Sequence, residues 1–315
     1  MTATRFEKFA WFFVAYLIAV ILFGAWVRIS FSGDGCGSHW PTCQGEILPP
    51  SPSAKTLTEF LHRASSGLCG VLGLVLVWGA RKVGRGAFRA SLATLFFLVI
   101  EAFIGALLVK KGWVGTDASV GRAITISLHL ANTLLLTASA ATTAWLASPA
   151  PRPGGRQPRT GLAAAALAGM LLTSMSGAVT ALGDTLFPVS PAADGALWAR
   201  LRDGLSPAQH FLVRLRILHP AVALLTAAAV ACLFVAYRRA PRADRLTRLA
   251  DFGLGLVVAQ TAVGFLDVML GAPPWLQLLH LLAAQALWIT LWLAVVEAWQ
   301  SREPTISGLA AVATG

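Results

Sequence analysis

The sequence predicts an all-α integral membrane protein with eight transmembrane helices, arranged as two pseudo-symmetric four-helix bundles. Hydrophobic residues make up 56% of the 315 and charged residues only 12%, with a mean hydropathy of +0.69, far from the composition of soluble domains. The apolar residues gather into eight stretches, each near the roughly 20 residues an α-helix needs to cross the hydrocarbon. The second half of the chain repeats the pattern of the first.

The first stretch, AWFFVAYLIAVILFGAWV at about 10–30, is long for a signal peptide and lacks a small-residue cleavage site, so it is read as the first membrane helix. The others fall at about 59–80, 91–109, 123–147, 161–182, 209–237, 251–270 and 275–297. A net charge of +11 could point to nucleic acid, but the basic residues lie in short clusters between apolar segments, so no nucleic acid is expected and membrane lipid is the partner. The segments 81–89, 151–159 and 238–248 together hold twelve Lys and Arg residues, whereas loop 32–58 holds only Lys55. Positive charge marks the cytoplasmic side, which predicts a multi-pass protein of the cell membrane with both termini inside and loop 32–58 outside. In that oxidising compartment Cys36 and Cys43 are expected to form a disulfide. Cys69 and Cys232 lie within apolar helices and read as core residues.

The repeat shows at three places. FLHRASSG (60–67) resembles ILHPAVAL (217–224), LVIEAFIGALLV (98–109) resembles LVVAQTAVGFLDV (256–268), and ISLHLANTLLL (126–136) resembles LQLLHLLAAQALW (276–288). Two halves follow, 1–150 and 161–315, joined by a Pro/Gly/Arg linker at 151–160. Equivalent positions are four helices apart, so the halves share one orientation in the membrane.

Four of the six histidines, His62, His129, His219 and His280, fall on helices two, four, six and eight, within one to three turns of the outer end. A single intramembrane histidine is usually a hydrogen-bonded structural residue. Four at matching repeat positions point instead to cofactor ligands on facing helices. Zinc normally needs further ligands, and the surrounding helices offer few. Haem iron needs only two axial ligands, so one bis-histidine haem per half is the economical reading. Arg63, Arg122, Arg214 and Arg216 cluster toward the outer surface as partners for haem propionates, with headgroup contact as the alternative.

These residues resemble a family. GDGCGSHWPTCQG (33–45), followed by EFLHR (59–63), SLHLANTLLL (127–136) and a second histidine pair, is similar to haem A synthase over nearly the whole chain. The resemblance implies an enzyme that oxidises the C8 methyl of haem O to the formyl group of haem A, with haem O synthase (protohaem farnesyltransferase) and cytochrome oxidase as partners. It implies that His62 and His129 bracket the substrate haem, and that His219 and His280 ligate a haem b cofactor that passes electrons. Arg63 accompanies the substrate site, Arg122 and Arg216 are propionate candidates, and Glu59, three residues before His62, matches the functional glutamate. Read without the resemblance, Glu59 is a helix N-terminal carboxylate favoured by the dipole. The cysteine pair matches the family's and reads as a lid above the first haem.

Pro220 follows His219 where the family often has Arg, and loop 183–208 has no cysteine to match the first lid. His39 and His210 have no repeat partner and read as interfacial. Glu101, with Gln260 at the matching position, reads as a hydrogen-bonding group between helices. The rival class is a quinol-linked b-type di-haem electron carrier that leaves its haems unaltered. Glu59 beside one histidine pair only, with Arg216 in its place beside the other, argues for unequal halves. A homo-oligomer is compatible with the sequence.

Overall fold

The computed structural model describes residues 3–49, 51–148, 159–188, 196–239 and 244–300. Ten helices are present among them: α1 (Ala3–Ile29), α2 (Ala54–Ala80), α3 (Arg85–Lys110), α4 (Val120–Ala147), α5 (Thr160–Leu186), α6 (Ala196–Leu205), α7 (Phe211–Leu215), α8 (Leu218–Arg238), α9 (Asp244–Met269) and α10 (Pro274–Gln300). No strand occurs among the described residues. Eight helices are long and apolar enough to cross a bilayer, α7 and α8 counting as one span, Phe211–Arg238. The fold is that of an all-α, multi-pass membrane protein. Most of the expected linker 151–160 lies outside the described residues.

At α2 and α4 the helix begins earlier than the apolar stretch because a serine cap sets its start. The Ser53 hydroxyl accepts from the Thr56 N–H at 3.2 Å and begins α2 five residues before the expected boundary. Ser119 caps α4 in the same way, accepting from the Arg122 N–H at 3.2 Å.

The sixth span departs from expectation. A continuous helix is expected over 209–237, but α7 ends at Leu215 and α8 starts at Leu218. Pro220 explains the break: it has no N–H to donate to the Arg216 carbonyl, and its ring is tolerated only in the first turn of a helix. The helix therefore restarts just ahead of it. Loop 183–208 also holds a helix that the sequence reading did not anticipate, the short α6.

Each half closes a ring of neighbours: α1 packs on α2, α2 on α3, α3 on α4 and α4 on α1; α5 packs on α8, α8 on α9, α9 on α10 and α10 on α5. The rings meet where α4 touches α5 and α10, and where α1 touches α10. This seam is tied by side chains. Trp288 Nε1 donates to the Leu134 carbonyl at 2.7 Å, Trp292 Nε1 to Thr142 Oγ1 at 2.8 Å, and Thr137 Oγ1 to Gln285 Oε1 at 3.2 Å. Toward the α4 C-terminus, Trp145 Nε1 donates to Glu297 Oε2 at 2.9 Å. Small polar residues of α4, among them Thr133, Thr137, Ser139 and Thr143, are buried there, as in close-packed membrane helices, while Phe103, Leu225 and Val258 face outward. At the other end, Arg28 of α1 reaches across to the Ala181 carbonyl at 2.6 Å, the Thr185 hydroxyl, and Gln277 Oε1 at 3.1 Å.

Candidate haem-binding site

Three of the four histidine rings rest on a glycine of the neighbouring helix. A Cβ at Gly24 of α1 would stand 3.0 Å from His62 Cε1, one at Gly177 of α5 3.0 Å from His219 Cε1, and one at Gly264 of α9 2.8 Å from His280 Cε1. Only glycine leaves room for a ring so close to the backbone. Gly105 of α3, the repeat counterpart of Gly264, has no atom within 4 Å of the corresponding point. The ring it would seat, His129, is held elsewhere, with Nδ1 2.9 Å from Glu101 Oε1.

His219 and His280 face one another with ring centroids 6.4 Å apart and planes at 88°. Two imidazoles bound through nitrogen to opposite faces of one iron hold their ring centres about 6 Å apart. The pair therefore fits a shared iron. His219 Nδ1 lies 3.1 Å from Ser176 Oγ, and the Gln260 amide lies 3.2 Å from His280 Nε2. His62 Nδ1, His129 Nδ1 and His280 Nδ1 are buried without a hydrogen bond of good geometry, His129 Nδ1 having the Glu101 carboxylate oxygen 2.9 Å away as an ion-pair neighbour. Buried polar atoms are rarely left so, and unpaired imidazole nitrogens suit metal ligation. Among the described residues no cluster of three or more His, Cys, Asp or Glu side chains is arranged to hold a metal ion, and the imidazoles recorded face to face are those of His219 and His280. Such pairs suit haem, whose porphyrin supplies the other four ligands.

Above His62 sits the cysteine loop. Cys36 and Cys43 are joined in a disulfide, and both are buried. The Cys43 N–H donates to the Glu46 carbonyl at 2.9 Å and the Gln44 N–H to the Cys36 carbonyl at 3.0 Å, closing a compact turn. Glu59 fastens this turn to α2. It is 3% exposed; its Oε2 accepts from the Cys36 N–H at 2.7 Å and its Oε1 from both Arg63 Nε, at 3.1 Å, and Nη2. Arg63 Nη1 in turn donates to the carbonyls of His39 and Thr42, each at 2.7 Å. Glu59 and Arg63 thus form one clasp, and His39 takes part through its backbone while its side chain is exposed.

The other arginines singled out by sequence are engaged with loops. Arg122 is 4% exposed and donates through Nη1 to the Gly115 carbonyl at 2.9 Å and the Asp117 carbonyl at 2.6 Å. Arg216 places Nε 3.0 Å from Asp184 Oδ1, and its Nη2 donates to the Gly183 carbonyl at 2.5 Å and to the Phe187 carbonyl. Arg200 of α6 pairs with the same carboxylate at 3.1 Å. In both halves, then, the residue three before the first histidine ties down a neighbouring segment: Glu59 the cysteine turn, Arg216 the end of α5. Arg214 is exposed, and His210 caps α7 between the rings of Phe187 and Phe211, at 4.9 and 4.6 Å.

Asp184, Arg200, Arg28 and the glycine seats had not been singled out in the sequence. One signal was there: Gly24-Ala25 of α1 and Gly177-Ala178 of α5 stand at corresponding points of the repeat.

A family model described as cytochrome oxidase assembly protein, COX15-CtaA, matches residues 7–292. The chain belongs to this family. A Thermus thermophilus protein named protoheme IX farnesyltransferase is 46% identical over 299 residues, covering 91% of this chain and 47% of that protein. The chain thus spans about half the length of that relative. Two proteins named heme A synthase match over shorter stretches. The one from Symbiobacterium thermophilum is 41% identical over 100 residues, covering 31% of this chain and 32% of that protein. The one from Halalkalibacterium halodurans is 34% identical over 99 residues, covering 30% and 33%. Within the COX15-CtaA family, the four histidines and the clasped cysteine turn are the features on which a function can be argued.

Proposed function

We propose that the chain is a haem A synthase that oxidises the C8 methyl of haem O to a formyl group, with dioxygen as the oxidant and source of the oxygen atom and one water released for each formyl group formed. The observation that carries this is the inequality of the two halves around their histidines: Glu59, one turn before His62, clasps a disulfide turn, and the half with His219 and His280 has no such turn among the described residues. A carrier that only passes electrons has no need of such a difference. Membership in the COX15-CtaA family and the partial matches to proteins named heme A synthase support the reading.

In this reading the N-terminal half, 1–150, holds the substrate between His62 and His129, and the C-terminal half, 161–315, holds haem b between His219 and His280. Haem b supplies one-electron chemistry when bound. The chain's own residues bind, orient and enclose. The Gly24 and Phe23 surfaces fix the His62 ring, the latter edge-on at a centroid distance of 5.6 Å. The disulfide turn shuts the outer side, excluding water from the oxidised carbon. Glu59 holds the turn closed through Oε2; when the turn lifts to admit substrate, that oxygen is released to take a proton one helical turn from His62. The turn faces the outside of the cell membrane and both termini the cytoplasm.

The Thermus relative places a counterpart of this chain within a longer protein named for farnesyl transfer to protohaem. This supports the reading that the chain works beside the enzyme that makes its substrate, and hands its product on toward cytochrome oxidase.

The test is extraction and chromatography of haems from membranes of cells that make haem O, with and without this chain. Haem A formed only with the chain, and lost in Glu59→Ala while haem b remains, supports the proposal. Unchanged haem O under air refutes it and leaves a di-haem electron carrier.

A further inference from the structure

His129 and His280 occupy matching places in the two halves, yet their rings are held by different chemistry. On the N-terminal side Glu101 Oε1 lies 2.9 Å from His129 Nδ1. That carboxylate is itself gripped: Asn132 Nδ2 donates to Oε2 at 2.5 Å, and the Thr133 hydroxyl donates to Oε1. Asn132 and Thr133 follow His129 by three and four residues on α4, so the helix that carries the ring also clamps the group that holds it. Asn132 is anchored in turn to α3, donating to the Phe97 carbonyl at 2.9 Å. At the matching point of the C-terminal half stands a neutral amide, Gln260, which lies 3.2 Å from Nε2 of His280, the other ring nitrogen, and leaves Nδ1 without a partner. Glu101 and Gln260 stand four residues before Gly105 and Gly264 respectively, so they are true counterparts in the repeat.

We infer that Glu101 is a positioning residue for His129, holding Nδ1 so that the other ring nitrogen is the one offered to the substrate iron, and making that imidazole a stronger electron donor than its counterpart His280. The inference rests on the proposed haem sites and deepens them. The His129 side chain is 31% accessible, so part of the ring stays uncovered beside the Glu101 contact. A carboxylate behind a ligating histidine fixes its orientation and raises its basicity, whereas an amide carries no charge to do so. A more basic histidine ligand stabilises ferric over ferrous iron, so haems bound in the two halves would differ in potential although both would be held by imidazoles. A low potential suits the half in which the substrate is oxidised.

The experiment is an optical and electron-paramagnetic-resonance redox titration of the purified full chain loaded with protohaem in both halves. His129→Ala identifies which component belongs to the N-terminal half. Glu101→Gln keeps the shape and removes the charge; a tenfold loss of ferric preference corresponds to an upward shift of about 59 mV in that component alone. Gln260→Glu is expected to shift the other component downward, and it carries the test if Glu101→Gln does not fold. Glu101→Ala, which also releases the ring, is expected to broaden the axial-ligand signal. If both components keep their potentials and signals in Glu101→Gln, or in Gln260→Glu where that variant alone folds, the positioning role is overturned and the haem sites stand. If the wild-type chain takes up no haem, the haem reading itself fails and this inference with it.

Discussion

Gly264 and Gly105 occupy equivalent points of the repeat, and the structure gives them opposite fates on substitution by alanine. At Gly264 the added methyl would lie 2.8 Å from His280 Cε1. Carbon atoms rest at about 3.5 Å or more, so ring or helix must yield by about 0.7 Å. Functional constellations tolerate about 0.5 Å. Overpacking of this kind costs on the order of 1–3 kcal/mol, which lowers haem affinity in the C-terminal half about ten- to hundredfold if the strain falls on the bound state. At Gly105 nothing lies within 4 Å of the new methyl, and alanine is favoured over glycine in a helix by about 1 kcal/mol. Gly105→Ala should therefore leave both haems in place. The assay is haem stoichiometry by optical spectroscopy while free haem is titrated into each purified variant, with gel filtration to confirm folding. Gly264→Ala binding two haems with wild-type affinity would refute the argument that the histidines are seated on glycine.

Three further outcomes are expected. Cys36→Ser removes a cross-link closing an eight-residue loop, worth about 2.5 kcal/mol in the chain-entropy account, and should raise amide exchange across 33–46 without altering that of α4. Asp184→Asn leaves Arg200 and Arg216 buried without their shared charge partner, costing about 3–5 kcal/mol locally, and should expose the α6 segment to limited proteolysis. Trp288→Ala empties a fully buried site at the seam and breaks its bond to Leu134, and should cost about 3–5 kcal/mol, read as a lowered unfolding temperature in detergent.

The eight spans were legible because crossing a bilayer demands a run of apolar residues whatever lies beside it. The histidines were legible because each stands on an apolar helix at a place that the other half of the chain matches. Glu101 shows where such reading stops. Its spacing from Gly105 could be counted, but whether it faced His129, another helix or lipid depends on the rotation of α3. A helix apolar on nearly every side, as α3 is, does not encode which side turns inward. Glu59 was marked by its place before His62, yet its bond to the Cys36 N–H depends on a loop folding back over α2, and no periodicity records that. Pro220 did carry a legible signal: a residue noted for displacing an arginine also interrupts the span. The helix α6 went unseen because ten residues with alternating charge and apolar character are too short and too polar to stand out in hydropathy.

Arg28 belongs to the first half of the chain, and the hydrogen-bond acceptors it meets, at Ala181, Thr185 and Gln277, belong to the second. With the tryptophan bonds of α4 and α10 at greater depth, the adhesion between the halves resides in helix faces rather than in the covalent join. The molecule is in effect a heterodimer written on one polypeptide. A cut in the join between the halves would therefore leave these contacts between them in place.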